Sequence, residues 1–303
     1  MREILEIMNI KAKNAHSLKL YFILFYLLFF VKFNSQEFIS IETLKSIYPF
    51  KKYTLKTNEL YGFDKTLDVY NFFISSDNIL LVTLLPNLEG QSNWLPVKEN
   101  EIRDKIMSIS KLRDWIDTMP TGYKELSYRK LLDKAGGDYF ISYNSLFELF
   151  SIKEYYNPLI SQLGVLNKAD KKVSIKNMYN VFEKTFPKKH FILDPRDDNR
   201  IRYLDDGYVF KNYLSKKFKI KNQNAYQFWT FDGWWAIDGY NVNRGIDRLI
   251  YIPNLGIVGG SYDFYFELKP RAMYDNVIPL PVDEEKLWDN IINEKIMIAE
   301  ELK

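Results

Sequence analysis

An uninterrupted apolar run near the N-terminus divides this chain into two parts of different chemistry. The run covers Leu20–Val31, reads LYFILFYLLFFV, and follows Lys11, Lys13 and Lys19. A membrane-spanning helix needs about 20 apolar residues, whereas the apolar core of a secretory signal peptide needs about 7–15. The length therefore favours a signal peptide that consists of residues 1–35. Cleavage is expected after Ser35, followed by export of the remainder by the general secretory route.

The alternative is that the same segment is retained as a membrane anchor. If Leu18 and Phe33 are counted and the flanking lysines snorkel, the apolar stretch reaches about 16 residues, which is marginal for spanning. Both interpretations place the residues after Ser35 outside the cytoplasm, because the positive charges stay inside. We therefore expect a periplasmic or extracellular protein, with a single N-terminal anchor as the alternative.

The part of the chain after Ser35 is electrically neutral. The whole sequence has 42 basic and 39 acidic residues, and residues 1–35 hold five of the basic and two of the acidic ones. A neutral domain has no overall positive field that would attract nucleic acid. We therefore expect no nucleic-acid partner, and contact with a membrane only through an uncleaved N-terminal segment.

The inventory of reactive side chains excludes several kinds of site. The chain has no cysteine and two histidines. Disulfides, thiolate metal sites and cysteine nucleophiles are therefore excluded, and so is the pair of histidines that a His-Glu-x-x-His zinc site needs beyond residue 35. No glycine-rich phosphate loop and no dinucleotide-binding fingerprint is found. The sequence predicts no metal, no cofactor and no catalytic residue.

Residues 36–303 are predicted to form a single α+β domain. Near its start, a short helix is expected at Ser40–Ile47, and it is expected to end before Pro49. The runs Leu67–Ile74 and Ile79–Leu85 have the length of strands, and the polar residues 75–78 between them are typical of a turn. These two runs are predicted to form a hairpin.

The middle of the chain, residues 97–187, is predicted to be a central helical segment and is a candidate for a helical insert. Apolar residues recur at helical spacing between Ile102 and Ile116. Further helices are expected at Ser127–Lys134, Leu146–Tyr156 and Ser174–Phe186.

Residues 190–282 are predicted to be rich in strands, mostly antiparallel. The expected strands are His190–Leu193, Tyr208–Phe210, Tyr226–Phe231, Trp234–Ile237, Arg248–Ile252 and Tyr262–Leu268. A C-terminal amphipathic helix is expected over Asp283–Leu302, where acidic residues precede an apolar stripe. The predicted architecture is α+β with mainly antiparallel strands.

The most unusual segment is Phe228–Tyr240, which reads FWTFDGWWAIDGY. Flat aromatic faces beside carboxylates can stack on a sugar ring and bind its hydroxyl groups, and two carboxylates at a suitable separation can hydrolyse a glycosidic bond. The same residues are also explained by two Asp-Gly turns that join short strands with core tryptophans. The candidate ligand-binding residues are Trp229, Asp232, Trp234, Trp235, Asp238 and Tyr240.

Three functional hypotheses follow from the sequence. The first is an exported, non-enzymatic protein that binds a protein or glycan partner. The second is a carboxylate-dependent glycan hydrolase that uses Asp232 and Asp238. The third is a membrane-anchored structural or interaction protein. The sequence does not predict an oligomeric state.

Overall fold

The computed structural model describes residues 37–88, 92–128, 130–155, 163–188, 191, 211–236, 241–263, 265–266 and 283–303. For residues 128, 231–236 and 241–245 it describes the backbone alone. The apolar run Leu20–Val31 lies outside these residues, as do nearly all of the strands predicted at His190–Leu193 and Tyr208–Phe210. Within the described ranges, no helix is both long and apolar enough to span a bilayer.

Strands dominate the described part of the chain. They are β1 (Ile39–Ser40), β2 (Phe50–Lys56), β3 (Thr66–Phe73), β4 (Asn78–Leu85), β5 (Trp94–Val97), β6 (Lys124–Tyr128), β7 (Leu131–Ala135), β8 (Asp138–Ser142), β9 (Asn144–Lys153), β10 (Val165–Asn167), β11 (Tyr213–Ile220), β12 (Gln223–Ala236), β13 (Asn241–Ile252), β14 (Gly256–Gly260) and β15 (Met297–Ile298). The helices are α1 (Ile41–Ile47), α2 (Asn58–Tyr61), α3 (Glu99–Ile102), α4 (Ile109–Thr118), α5 (Ile175–Thr185) and α6 (Glu284–Ile292), with 3-10 turns at Arg103–Lys105 and Glu300–Leu302. The fold is α+β with mostly antiparallel strands, and sheet predominates.

One large sheet carries most of the strands. Its order is β15-β14-β13-β12-β6-β9-β4-β3-β2, with β10 beside β9 and β11 beside β12. A smaller sheet has the order β1-β7-β8-β5. In the large sheet, β6 joins β12 in parallel, and the residue pairs described at this junction are Trp235 with Glu125 and Ala236 with Leu126. This junction, which we call the parallel seam, connects the half of the sheet containing β2, β3, β4 and β9 to the half containing β11–β14.

The large sheet curls until its two ends approach each other. The amide of Asn71 on β3 donates to the carbonyl of Ile257 on β14 at 2.9 Å, and its carbonyl accepts the Ile257 N–H at 2.6 Å. Gly256 has a φ of 85°, and a Cβ there would lie 2.4 Å from Asn71 Oδ1. A glycine is therefore required where the side chain of β3 meets the backbone of β14.

The two faces of the sheet bury separate cores. On one face, residues of β2–β4 pack with residues of β11–β14, and Ile175 of α5 and Leu287 of α6 complete this core. On the other face, α1 and α4 cover β3, β4 and β9, and Trp115 meets Phe147 edge to face at 5.5 Å between ring centroids. The curled sheet thus has a covered interior and a covered exterior over these strands.

Several predicted elements are confirmed. The hairpin of β3 and β4 forms with continuous antiparallel pairing from Asp68–Leu84 to Phe73–Ile79. Helix α1 begins after Ser40, whose side chain accepts the Thr43 N–H, and α5 begins after Ser174, which caps it in the same way. In the strand-rich region, Tyr226–Phe231 and most of Trp234–Ile237 form one strand, β12, rather than two.

The prediction of a central helical segment is wrong over much of residues 97–187. Helices α3, α4 and α5 are present, but Ser127–Lys134 contributes to β6 and β7, and Leu146–Tyr156 contains most of β9. The residues of β9 from Asn144 to Ile152 are all buried, so both faces of the strand are covered. A strand covered on both faces has an apolar run that periodicity cannot distinguish from a helix. Strand β9 lies between β6 and β4 in the large sheet.

The predicted C-terminal helix is shorter than expected. Helix α6 ends at Ile292, Glu294 adopts a φ of 55°, and the chain then forms β15 beside β14. Glu294 is buried, and its carboxylate accepts the N–H of Ile175 at 2.7 Å at the start of α5. The strand predicted at Tyr262–Leu268 begins instead with a helical turn, in which the N–H groups of Tyr265 and Phe266 both reach the carbonyl of Tyr262.

Candidate functional site

A lysine held between two carboxylates lies beside the parallel seam. Lys124 begins β6, and its ammonium contacts Asp247 Oδ2 on β13 at 2.7 Å and Glu148 Oε1 on β9 at 3.2 Å. Lys124 and Glu148 are direct cross-strand neighbours. The three side chains are only 6–8% exposed, so their charges are almost fully removed from water. We call these three residues the lysine cluster.

A second buried group surrounds Arg248, the residue that follows Asp247 on β13. Its guanidinium binds both carboxylate oxygens of Asp263, at 2.7 and 3.2 Å. It also donates to the backbone carbonyls of Ile246 at 3.0 Å and Lys295 at 2.9 Å. Tyr61 donates its hydroxyl to Asp263 at 2.8 Å. We call Arg248, Asp263 and Tyr61 the arginine cluster.

The electrostatics of the arginine cluster follow from burial. Loss of water raises the pKa of Asp263, although the neighbouring Arg248 and the hydrogen bonds to the carboxylate act in the opposite direction. Burial also raises the pKa of Tyr61 well above its ordinary value, and the charge of Asp263 adds to this effect. The phenol therefore remains protonated and serves as a hydrogen-bond donor to the carboxylate.

Tyr262 links the two clusters. Its backbone N–H donates to the Tyr61 hydroxyl at 2.7 Å, and its own hydroxyl lies 3.0 Å from Thr83 Oγ1 on β4. Burial raises the pKa of Tyr262 above its ordinary value, and the charge of Glu148 raises it further. Tyr262 therefore contacts the arginine cluster through its backbone and lies near Glu148 of the lysine cluster.

A small cavity lies against both clusters. Lys124, Glu148, Asp247, Arg248 and Tyr262 contribute to its wall, and its volume is about 20 Å³. A cavity of this size holds an ordered water molecule and is far too small for a sugar or a drug-sized ligand, which needs hundreds of Å³. The cavity therefore extends the polar network of the clusters and does not form a substrate pocket.

Bare backbone forms one side of this cavity. Gly122 and Gly164 both adopt left-handed φ values, of 78° and 74°. A Cβ on Gly164 would lie 1.9 Å from the backbone nitrogen of Gly122. The N–H of Gly164 donates to Asn212 Oδ1 at 2.7 Å. The loop before β6 and the loop before β10 can approach this closely only because neither glycine has a side chain.

The charged groups at this site limit the chemistry it can perform. One ammonium, two carboxylates and an adjacent arginine–carboxylate pair occupy a buried region of the protein. Within the described ranges, no group of three or more acidic, histidine or cysteine residues is placed to hold a metal ion. Proton transfer between the lysine and the carboxylates, and reactions that follow from such a transfer, are the chemistry that this arrangement permits.

The structure locates only some of the residues that the sequence singled out. Trp229 is buried at 1% exposure, stacks on Tyr213 with ring centroids 4.5 Å apart, and donates its indole N–H to the carbonyl of Val173 at 2.7 Å. It is therefore a core residue and its faces are not accessible to a ligand.

Three of the other predicted site residues lie further along β12. The backbone of β12 passes through Asp232, Trp234 and Trp235, and its pairing with β13 shifts register between Phe231 and Gly233. Asp238 and Tyr240 lie outside the described residues. The grouping of these residues in one ligand site therefore stays a prediction.

Neither buried cluster is predicted from the sequence. Lys124, Glu148 and Asp247 are distant in sequence, and no motif joins them. One signal was present: Glu148 interrupts the apolar run of β9, LFELF, at residues 146–150. A carboxylate inside a strand-length apolar run must be paired if the run is buried, because an unpaired buried charge is very unfavourable.

Comparison with known proteins gives no relative for this chain. No protein-family model, no curated protein and no solved structure matches it.

Proposed function

We propose that this chain is an exported, non-enzymatic protein that binds a glycan or protein partner outside the cytoplasm. The observation that carries the proposal is that the buried charged groups are paired with one another. At the lysine and arginine clusters, cations and carboxylates are paired with each other around a cavity that accepts only water. Catalytic sites need reactive groups that a substrate can reach, and these groups are enclosed.

The proposal of export depends on the N-terminal sequence. The apolar run Leu20–Val31 has the length of a signal-peptide core and follows several lysines. A neutral, cysteine-free remainder is compatible with a periplasmic or extracellular location. N-terminal sequencing of the exported protein tests this point: a mature end near Gln36 supports cleavage, an intact end supports a retained anchor, and full-length protein in the cytosol contradicts export.

The proposed binding segment is the stretch of sequence that follows Trp229 and ends at Tyr240. It contains Trp234 and Trp235 together with two Asp-Gly pairs, at residues 232–233 and 238–239. Aromatic rings combined with carboxylates suit the stacking and hydroxyl recognition of a sugar, which makes an extracellular polysaccharide the first partner to test.

The binding test uses the mature chain with insoluble cell-wall glycan. We expect the protein to sediment with the glycan, no new reducing ends to appear, and Trp234→Ala with Trp235→Ala to abolish sedimentation. Trp229→Phe is the matched control, because Trp229 is buried and its replacement should leave binding intact in the folded protein. Failure to sediment with any glycan, together with saturable binding to a purified envelope protein, would indicate a protein partner.

The hydrolase hypothesis keeps one specific observation in its favour. The register of β12 and β13 shifts at Asp232, and such irregularities are common next to active sites because they redirect a side chain. Release of reducing ends that Asp232→Asn or Asp238→Asn abolishes would replace the binding proposal with this second function.

A further inference from the structure

The lysine cluster brings together an amine, a carboxyl group and a second carboxylate in one buried place. Asp247 Oδ2 lies 2.7 Å from the Lys124 nitrogen, so the carboxyl carbon of Asp247 is within reach of nucleophilic attack by that nitrogen. Glu148 contacts the same nitrogen at 3.2 Å from the neighbouring strand. These are the nucleophile, the electrophile and the proton carrier that amide formation requires.

The surroundings of the cluster favour reaction over a lasting ion pair. The three side chains are nearly inaccessible to water, and Leu81, Phe150 and Tyr262 line the same cavity. Charges that are removed from water lose their hydration, and attraction within the pair only partly compensates for this loss. An uncharged amide in the same position avoids the desolvation of both charges.

We propose that Lys124 and Asp247 are joined by an intramolecular amide bond, and that Glu148 carries the proton during its formation. The Lys124 ammonium first passes one proton to the Asp247 carboxylate, with which it is in direct contact, and the free amine then attacks the carbon of the resulting carboxylic acid. As the C–N bond forms, Glu148 accepts a second proton from the attacking nitrogen. The C–O bond to the departing hydroxyl group breaks, and Glu148 returns this proton to it, so that the oxygen leaves as water. One ammonium and one carboxylate become one amide and one water molecule, so atoms and charge balance without any oxidant or cofactor.

The position of this bond gives it a structural purpose. Lys124 lies on β6 and Asp247 on β13, at a sequence separation of 123 residues. Between these strands lies the parallel seam, where β6 and β12 share two residue pairs within the described part of the chain. A covalent bond across this seam would hold the two halves of the sheet together in a chain that has no cysteine for disulfides. The inference does not depend on the identity of the binding partner.

The decisive measurement is the intact mass of the denatured mature chain. We expect it to be lower than the mass of the linear sequence by one water molecule, and a tryptic digest to contain a branched peptide that joins Lys124 to Asp247. Glu148→Gln and Lys124→Arg should both show the full linear mass. Glu148→Gln preserves the shape of the side chain, so it tests the proton carrier even if the arginine variant fails to fold.

A third variant keeps the amine and the proton carrier and changes the leaving group. In Asp247→Asn the amine would displace ammonia instead of water, and the resulting amide is identical to that of the wild type. We therefore expect this variant to reach the same final mass as the wild-type protein, with the same branched peptide.

A succinimide at either Asp-Gly pair would also remove one water molecule. That loss would persist in Glu148→Gln and would give no branched peptide, so such a result contradicts the proposal. A folded wild-type chain that keeps its full linear mass also overturns it and shows that the lysine cluster is only an ionic contact.

Discussion

The lysine and arginine clusters are neighbours on β13 but solve the problem of buried charge in different ways. Arg248 is paired with one carboxylate through two hydrogen bonds, and it donates two more to backbone carbonyls. Lys124 instead contacts two carboxylates from two strands beside a cavity. The planar guanidinium remains charged and is a poor nucleophile, whereas an amine becomes a strong nucleophile once it loses a proton. The arginine cluster is therefore a permanent ion pair that fixes the fold, which we call the ionic lock. The lysine cluster is a reactive site.

The largest effect is expected from breaking the ionic lock. Arg248→Met should reduce the free energy of unfolding by about 3–5 kcal/mol, because Asp263 remains buried without its cation. Urea denaturation followed by tryptophan fluorescence measures the change.

Adding Asp263→Asn to the same variant provides the control for this experiment. The double variant should recover part of the loss, because the uncompensated charge is then removed. If Arg248→Met unfolds at the same urea concentration as the wild type, the arginine cluster is not a structural lock.

The second effect concerns the lysine cluster and is expected to be somewhat smaller. Glu148→Gln should leave the fold intact but prevent the amide bond, so the unfolded chain regains the freedom of a long closed loop. Removing such a cross-link typically costs about 2–4 kcal/mol. The midpoint of urea denaturation should fall for Glu148→Gln, measured beside the mass of the same sample.

This result separates a covalent bond from an ionic one. A cross-linked wild-type chain also stays compact in denaturant, so it should migrate faster than Glu148→Gln in denaturing electrophoresis. Equal migration of the two proteins would place the lysine cluster in the same class as the arginine cluster.

The third effect appears only at alkaline pH and tests whether both clusters exclude water. The pKa values of Tyr61 and Tyr262 are raised in the folded protein, mainly by burial. Above pH 10 the unfolded chain therefore releases protons that the folded chain retains, and stability falls as the pH rises. Each such tyrosine contributes up to about 1.4 kcal/mol per pH unit.

Tyr262→Phe measures this contribution directly. At pH 8 the variant should be slightly less stable, because it lacks the 3.0 Å hydrogen bond between the Tyr262 hydroxyl and Thr83. Between pH 10 and 11 its stability should fall less steeply than that of the wild type. Parallel pH profiles for the two proteins would contradict the burial of this phenol.

The contrast between the clusters also explains what could be predicted from the sequence. The β3–β4 hairpin was predictable because two apolar runs flank a polar turn, and α5 because Ser174 precedes a helical pattern. Strand β9 was not, since Leu146, Phe147, Leu149 and Phe150 are buried on both faces of the strand and imitate a helix. The local spacing of apolar residues distinguishes a strand from a helix only where one face of the element is exposed to water.

The site depends on tertiary structure to an even greater degree. Lys124, Glu148 and Asp247 become neighbours through the order of strands β6, β9 and β13, and that order is a property of the whole sheet. The aromatic segment at 228–240 attracted attention because its residues are rare and adjacent. Common residues brought together from a distance leave no such local signal, although Glu148 within an apolar run was a usable indication.

The smallest effect is expected where the arginine cluster reaches the surface, at Lys295. The backbone carbonyl of Lys295 accepts a hydrogen bond from Arg248 Nε at 2.9 Å, while its side chain pairs with Asp289 at 2.7 Å and both side chains are more than half exposed. The hydrogen bond from Lys295 lowers the pKa of Asp289, but water and salt screen this exposed pair. Lys295→Ala keeps the carbonyl and removes only the ammonium, so its urea midpoint should match that of the wild type at physiological ionic strength. A loss as large as that of Arg248→Met would mean that the surface ion pair, and not the buried guanidinium, holds the C-terminal segment on β13.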